Sequence, residues 1–164
     1  MIRVLFVCMG NICRSPTAHG VFRKLLQEHA ADFLIELDSA GTGDWHVGQP
    51  PDRRATEAAS RRGVEISDLR ARTVGDEDFE HYDYILAMDE LNLVTLRDRS
   101  PAKYHAKIRL LMDFAPPPLN RNVPDPYYGG PAGFEQVLDL LEEAGRGLLR
   151  ELEQVVQQQG RKRS

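Results

Sequence analysis

The chain reads as an α/β fold: a single three-layer domain in which a central parallel sheet carries helices on both faces. Three observations predict this. Residues 2–8, IRVLFVC, form a near-continuous apolar run rich in β-branched and aromatic side chains, as a strand buried on both faces requires. Strand-like and helix-like segments then alternate along the chain, which favours parallel strands joined by helices. The length of 164 residues and an apolar content of 41% suit one domain around one core, with no internal repeat and no second domain.

The elements follow in order. After the first strand comes a short loop, MGNIC, and then Arg14-Ser15-Pro16. Ser15 is a favoured N-cap and Pro16 suits the first helical position, so a helix is predicted from there through TAHGVFRKLLQEHAA, with Val21, Phe22, Leu25 and Leu26 on one face. FLIELDSAG (33–41) reads as a second strand and turn. RRATEAASRRG (53–63) reads as a helix stopped by Gly63. HYDYILAM (81–88) ends in a third strand, and DELNLVTLRDR (89–99) is a helix capped by Asp89. KIRLLMDF (107–114) is expected as the fourth strand, and residues 134–159 as a long amphipathic helix. Two loops remain, 41–52 and 115–133. Long loops of an α/β domain are functional suspects, because ligands bind beyond the carboxyl ends of the strands.

Composition narrows the function. A formal net charge of −4 offers no general attraction for nucleic acid or an anionic membrane. No run approaches the roughly 18–20 apolar residues of a membrane helix, and the N-terminal run is too short for a signal peptide, so a cytoplasmic protein is expected. Two cysteines in such a chain are expected free or catalytic rather than as a structural disulfide.

Both cysteines lie in VCMGNICRSP, residues 7–16. The first strand delivers Cys8 to the carboxyl edge of the sheet, and the next helix begins at the same edge. The phosphate-binding loop predicted here is Met9, Gly10, Asn11, Ile12, Cys13 and Arg14. Its backbone N–H groups and the positive helix end can converge on one anion. Gly10 is expected to give the loop conformational freedom, and Asn11 tolerates left-handed geometry. Arg14 offers a planar fork for two oxygens of a tetrahedral oxyanion. A helix N-terminus and a neighbouring cation favour thiolate over thiol, so Cys8 is predicted to attack phosphorus. The spacing Cys-x5-Arg is weak by itself. The preceding buried strand, Gly10 and the following Ser-Pro strengthen it. No G-x4-G-K-[ST] loop is present. Neither cysteine has ligand spacing for zinc, so neither metal nor cofactor is expected. A proton donor for the leaving oxygen is sought in NVPDPYYGG (122–130), where Asp125 stands between two prolines. On composition alone, a Pro-rich turn, in which Asp is favoured, accounts for that residue better.

These residues resemble the low-molecular-weight protein tyrosine phosphatases. The resemblance rests on Cys8 to Ser15, on Asp125 to Tyr128, on DSAGTGDWHVGQPPD and on YDYILAMDELN, and it spans residues 2–158. It implies a four-stranded sheet of order 2-1-3-4. It also implies one phosphatase domain over 1–158 and a basic, disordered tail over 159–164. The implied activity is metal-independent hydrolysis of a phosphotyrosine-containing protein or aryl phosphate through a phosphocysteine intermediate, releasing inorganic phosphate. Cys8 is the implied nucleophile, Arg14 the phosphate clamp, and Asp125 the general acid and then base. Ser15 is implied to hydrogen-bond the Cys8 sulfur. Asn11 holds the loop, with Ser39 as partner, and Met9, Ile12, Trp45, Tyr127 and Tyr128 line a slot for the substrate ring. Members with a second loop cysteine imply that Cys13 traps an oxidised Cys8 as a disulfide. The sequence departs from the family at Leu69, where many members carry a His that supports the Asn–Ser network.

Three other functions fit parts of the pattern. An arsenate reductase shares this fold and loop but uses further cysteines, and none follows Cys13. A non-catalytic phosphotyrosine-binding module needs neither Cys8 nor Asp125. A thiol–disulfide protein predicts Cys-x-x-Cys rather than Cys-x4-Cys.

Overall fold

The structure is a computed structural model, and it describes residues 1–29, 31, 34–117, 121–127 and 130–163. Four parallel strands lie in the order β2-β1-β3-β4. They are β1 (Ile2–Cys8), β2 (Ile35–Gly41), β3 (Tyr84–Ala87) and β4 (Ile108–Leu110). The helices are α1 (Arg14–Glu28), α2 (Arg53–Arg61), α3 (Asp76–His81), α4 (Glu90–Arg99) and α5 (Pro131–Arg163).

The period of two along β1 divides the core. Val4, Phe6 and Cys8 face the layer of α1, α2 and α5, while Leu5 and Val7 face the layer of α3 and α4. Six of the seven β1 residues are buried, which is why that strand reads as an unbroken apolar run. β1 pairs on both sides, with Cys8 opposite Gly41 of β2 and Val7 opposite Ala87 of β3. Its last residue therefore emerges centrally at the carboxyl edge.

Several boundaries differ from the sequence reading. Ser15 is not the cap of α1. The helix starts at Arg14 after Cys13, without a side-chain cap, because the Ser15 hydroxyl is engaged elsewhere. Pro16 then falls in the first turn, where a missing N–H costs nothing. β4 is three residues long, since Leu111–Phe114 turn into a 3₁₀ segment after the strand. The alternation of β4 thus gives way to residues packed under α5. The short helix α3 escapes the apolar pattern: it holds one buried residue, Phe79, behind three acidic residues in its first turn. α5 starts three residues before the expected 134 and runs to Arg163, through most of the expected tail. Gln and Arg are good helix formers, and basic residues suit a helix C-terminus. α2 ends as expected, with Gly63 at φ 75°, and Asp89 accepts from Asn92 N as the cap of α4. Among the described residues no helix is long and apolar enough to cross a membrane.

Candidate active site

Most of the residues singled out in the sequence line one cavity of about 440 Å³ beyond the carboxyl end of β1, and Asn11, Ser15 and Ser39 are buried outside its lining. Cys8, Cys13 and Arg14 line it together with Met9, Ile12, Trp45, Tyr127 and Asp125. Tyr128 lies outside the described residues. Among the described residues no group of three or more His, Cys, Asp or Glu side chains is placed to hold a metal ion.

The loop after Cys8 curls back on the sulfur. Asn11 N–H donates to Cys8 Sγ at 3.2 Å, and the Ser15 hydroxyl sits 3.0 Å from the same sulfur. The turn is made by Asn11 at φ 58°, not by Gly10. The side chain of Asn11 holds this conformation through three bonds. Nδ2 donates to Ser15 Oγ at 2.7 Å and to Ser39 Oγ at 3.1 Å, and Oδ1 accepts from Arg72 N at 3.0 Å. Arg72 is itself held by Asp38 and Asp78. So the Asn–Ser network forms with Leu69 where the family often has His. Gly10 serves instead by its small size: a Cβ there would stand 3.1 Å from the His46 ring, which also lines the cavity.

Arg14 is 4% exposed, and its orientation is prepared before any ligand arrives. Nη1 donates to Asp89 Oδ2 at 2.6 Å and to the Val123 carbonyl at 3.0 Å. Asp89 uses its other oxygen to cap α4, so one carboxylate fixes both helix and guanidinium. Burial works against the charge of Arg14, but Cys8 and Asp89 more than offset it and its pKa is raised. Arg14 Nη2 stands 3.9 Å from Asp125 Oδ2. Asp125 keeps its own turn, with one oxygen accepting from Tyr127 N at 3.0 Å. Burial pushes the Cys13 thiol up to about 12, reinforced by Asp52, Cys8 and Asp125. Cys13 thus carries its proton at neutral pH.

Sequence reasoning missed His46, Asp89 and Arg72. His46 lay in the loop already under suspicion, and Asp89 showed only as a cap. Arg72 gave no local signal.

Chemically, the arrangement places a sulfur, a buried cation and a carboxyl group around one cavity. The first residues of α1, without a side-chain cap, open onto it.

Comparisons with known proteins show what the whole chain is similar to. The family described as low molecular weight phosphotyrosine protein phosphatase matches residues 3–158. The low molecular weight protein-tyrosine-phosphatase YfkJ of Bacillus subtilis is 42% identical over 149 residues, covering 91% of this chain and 94% of that protein. The human low molecular weight phosphotyrosine protein phosphatase is 44% identical over 136 residues, covering 82% of this chain and 85% of its own. A crystal structure of a protein tyrosine phosphatase from Entamoeba histolytica superposes with a TM-score of 0.91 at 44% identity, covering 94% of this chain and 98% of that one.

Proposed function

This chain belongs to the low molecular weight phosphotyrosine protein phosphatase family, and from that premise we propose that it hydrolyses phosphotyrosine in proteins, with Cys8, Arg14 and Asp125 carrying the chemistry. The Cys8 thiolate attacks phosphorus in line with the ester oxygen. The S–P bond forms as the P–O bond to the aryl group breaks, and Asp125 gives its proton to the departing phenolate. Water then attacks the phosphocysteine, Asp125 accepts a proton from it, and the S–P bond breaks to release inorganic phosphate and the thiolate. Arg14 binds two equatorial oxygens throughout, and it favours the transition state because its orientation is set in advance by Asp89 and Val123. The Ser15 hydroxyl stabilises the sulfur as it leaves.

The observation that carries this reading is the sulfur of Cys8, which accepts from the backbone of its own loop while facing the cavity shared by Arg14 and Asp125. The slot of Met9, Ile12, Trp45 and Tyr127 fits a substrate whose phosphate lies a ring's length from its backbone. An arsenate reductase is not favoured, because the relatives are phosphatases and no thiol follows Cys13 in the chain. The test is hydrolysis of phosphotyrosine peptides by wild type and Cys8→Ser. The variant is expected to lose nearly all turnover yet to retain vanadate binding. Wild-type turnover in that variant overturns the assignment.

A further inference from the structure

The proposed reaction requires Asp125 to be held at the leaving oxygen. The stretch before it is pinned twice: Val123 N–H donates to the Met88 carbonyl at 2.8 Å, and its own carbonyl accepts from Arg14. The stretch after it, Pro126 and Tyr127, belongs to no strand or helix. There the loop meets Arg54, the second residue of α2.

Arg54 uses both its fork and its plane. Nε and Nη2 donate to the two carboxylate oxygens of Asp52 at 3.2 and 3.1 Å. The same Nη2 donates to the Tyr127 carbonyl at 2.9 Å. The guanidinium carbon lies 5.4 Å from the Tyr127 ring centre and 5.0 Å from that of Phe134, a buried residue of α5. Asp52 in turn donates its backbone N–H to the Ile12 carbonyl at 2.7 Å, and its carboxylate caps α2. A continuous chain of bonds therefore runs from Ile12 of the phosphate loop through Asp52 and Arg54 to Tyr127, two residues from Asp125. Burial opposes ionisation of Asp52, but Arg54 holds its carboxyl below the usual range, so the link stays charged at neutral pH. Arg54 stands outside the residues that line the cavity and touches it through Tyr127.

We propose that Arg54 is a positioning residue that clamps the general-acid loop to the phosphate loop and so sets the placement of Asp125. This rests on the assignment of Asp125 as the acid. Lysine cannot replace it, because an ammonium has neither the fork for Asp52 and Tyr127 nor the plane that stacks on two rings.

The experiment is a double-mutant cycle of Arg54→Ala and Asp125→Asn, read on a phosphotyrosine peptide and on p-nitrophenyl phosphate. Nitrophenolate leaves without help, whereas tyrosinate needs the acid. Arg54→Ala is expected to lower kcat on phosphotyrosine about tenfold, a loss typical of a misplaced catalytic group, with less than about a twofold change on the nitrophenyl ester. In the Asp125→Asn background it is expected to add no further loss. Arg54→Lys should recover little of the phosphotyrosine rate. Equal losses on both substrates, or additive losses in the cycle, overturn the proposal. Amide exchange over residues 121–127 reads the loop directly: faster exchange in Arg54→Ala supports the clamp, and unchanged protection overturns it whatever Asp125 does. If Asp125→Asn alone harms both substrates equally, the acid assignment falls instead. A thermal scan checks that α2 survives, as expected for a helix-favouring alanine.

Discussion

Asn11 reaches from the phosphate loop to the neighbouring strand, its Nδ2 3.1 Å from Ser39 Oγ. That contact, with those to Ser15 and Arg72, holds a non-glycine residue at φ 58° in a site that is 2% exposed. Left-handed geometry costs an ordinary residue about 1–2 kcal/mol, and the three side-chain bonds offset that cost.

The network predicts separable defects. Asn11→Gly keeps the backbone geometry and removes only the side-chain bonds, while Asn11→Ala adds strain. Turnover is expected to fall in both, by about 10²-fold in Asn11→Ala as the loop donors drift from the phosphate, and less in Asn11→Gly. Ser39→Ala removes one acceptor and should fall least. Vanadate affinity measured across the three variants should follow the same order. Equal affinity in all of them would show that the loop holds its shape without Asn11.

The aromatic wall predicts selectivity. Trp45 is 67% exposed yet lies so close over Gly43 that a Cβ there would meet its ring at 1.8 Å. Gly43→Ala must therefore swing Trp45 off its seat without deleting it. Both Gly43→Ala and Trp45→Ala should raise KM for phosphotyrosine peptides by roughly threefold to tenfold, the worth of one aromatic contact. Arg14→Ala should damage every phosphate ester. Phosphoserine peptides should be poor substrates of wild type, since their phosphate cannot reach Cys8 from outside the slot. Equal efficiency on phosphoserine and phosphotyrosine would rule the slot out as the source of selectivity.

Cys13 predicts a redox response. It shares the cavity with Cys8, and both thiols are free. Peroxide converts the Cys8 thiolate to a sulfenic acid. The Cys13 sulfur can then attack that sulfur, its proton leaving with the hydroxyl as water, and a disulfide forms. Dithiothreitol should restore most wild-type activity, with a Cys8–Cys13 link visible by mass spectrometry beforehand. Cys13→Ser should be active before treatment and recover poorly afterwards. Equal recovery would reduce Cys13 to a packing residue.

What was legible in the sequence is local in the chain. Cys8, Asn11, Arg14 and Ser15 share one strand–loop–helix unit, so their meeting follows from eight consecutive residues. The cap Asp89 and the stop at Gly63 are equally local. What was not legible is long in sequence separation and made by polar and charged groups with no period. Arg54 meets Tyr127, Arg72 meets Asn11 and Arg14 meets Asp89 only because α2, the 70s segment and the β3–α4 turn converge at one sheet edge. Ser15 misled because two physical demands competed for its hydroxyl, and the sulfur with Asn11 won over the helix end. β4 misled because an apolar run records burial, and the 3₁₀ turn that ends it is buried as well.

His19 predicts how stability depends on pH. It lies in α1, 6% exposed, and its Nδ1 has no hydrogen-bond partner. Burial lowers its pKa to about 4, and Arg23 on the same helix adds to this, against the weaker pull of Asp38 on β2 and Asp68 in the loop beyond α2. The unfolded chain binds a proton near the ordinary value of 6.5, the folded chain only near 4. Between those values the unfolded state holds more protons, so stability falls as pH drops from 6.5 and the loss is complete near 4. A separation of that size corresponds to up to about 3 kcal/mol. Urea midpoints at pH 5 and pH 7.5 check this. Wild type should lose stability on acidification, and His19→Leu, which fills the same buried site without a titratable group, should lose distinctly less. An identical acid loss in both proteins would place the sensitivity elsewhere, for instance at Glu135, whose carboxyl Arg62 holds below the usual range.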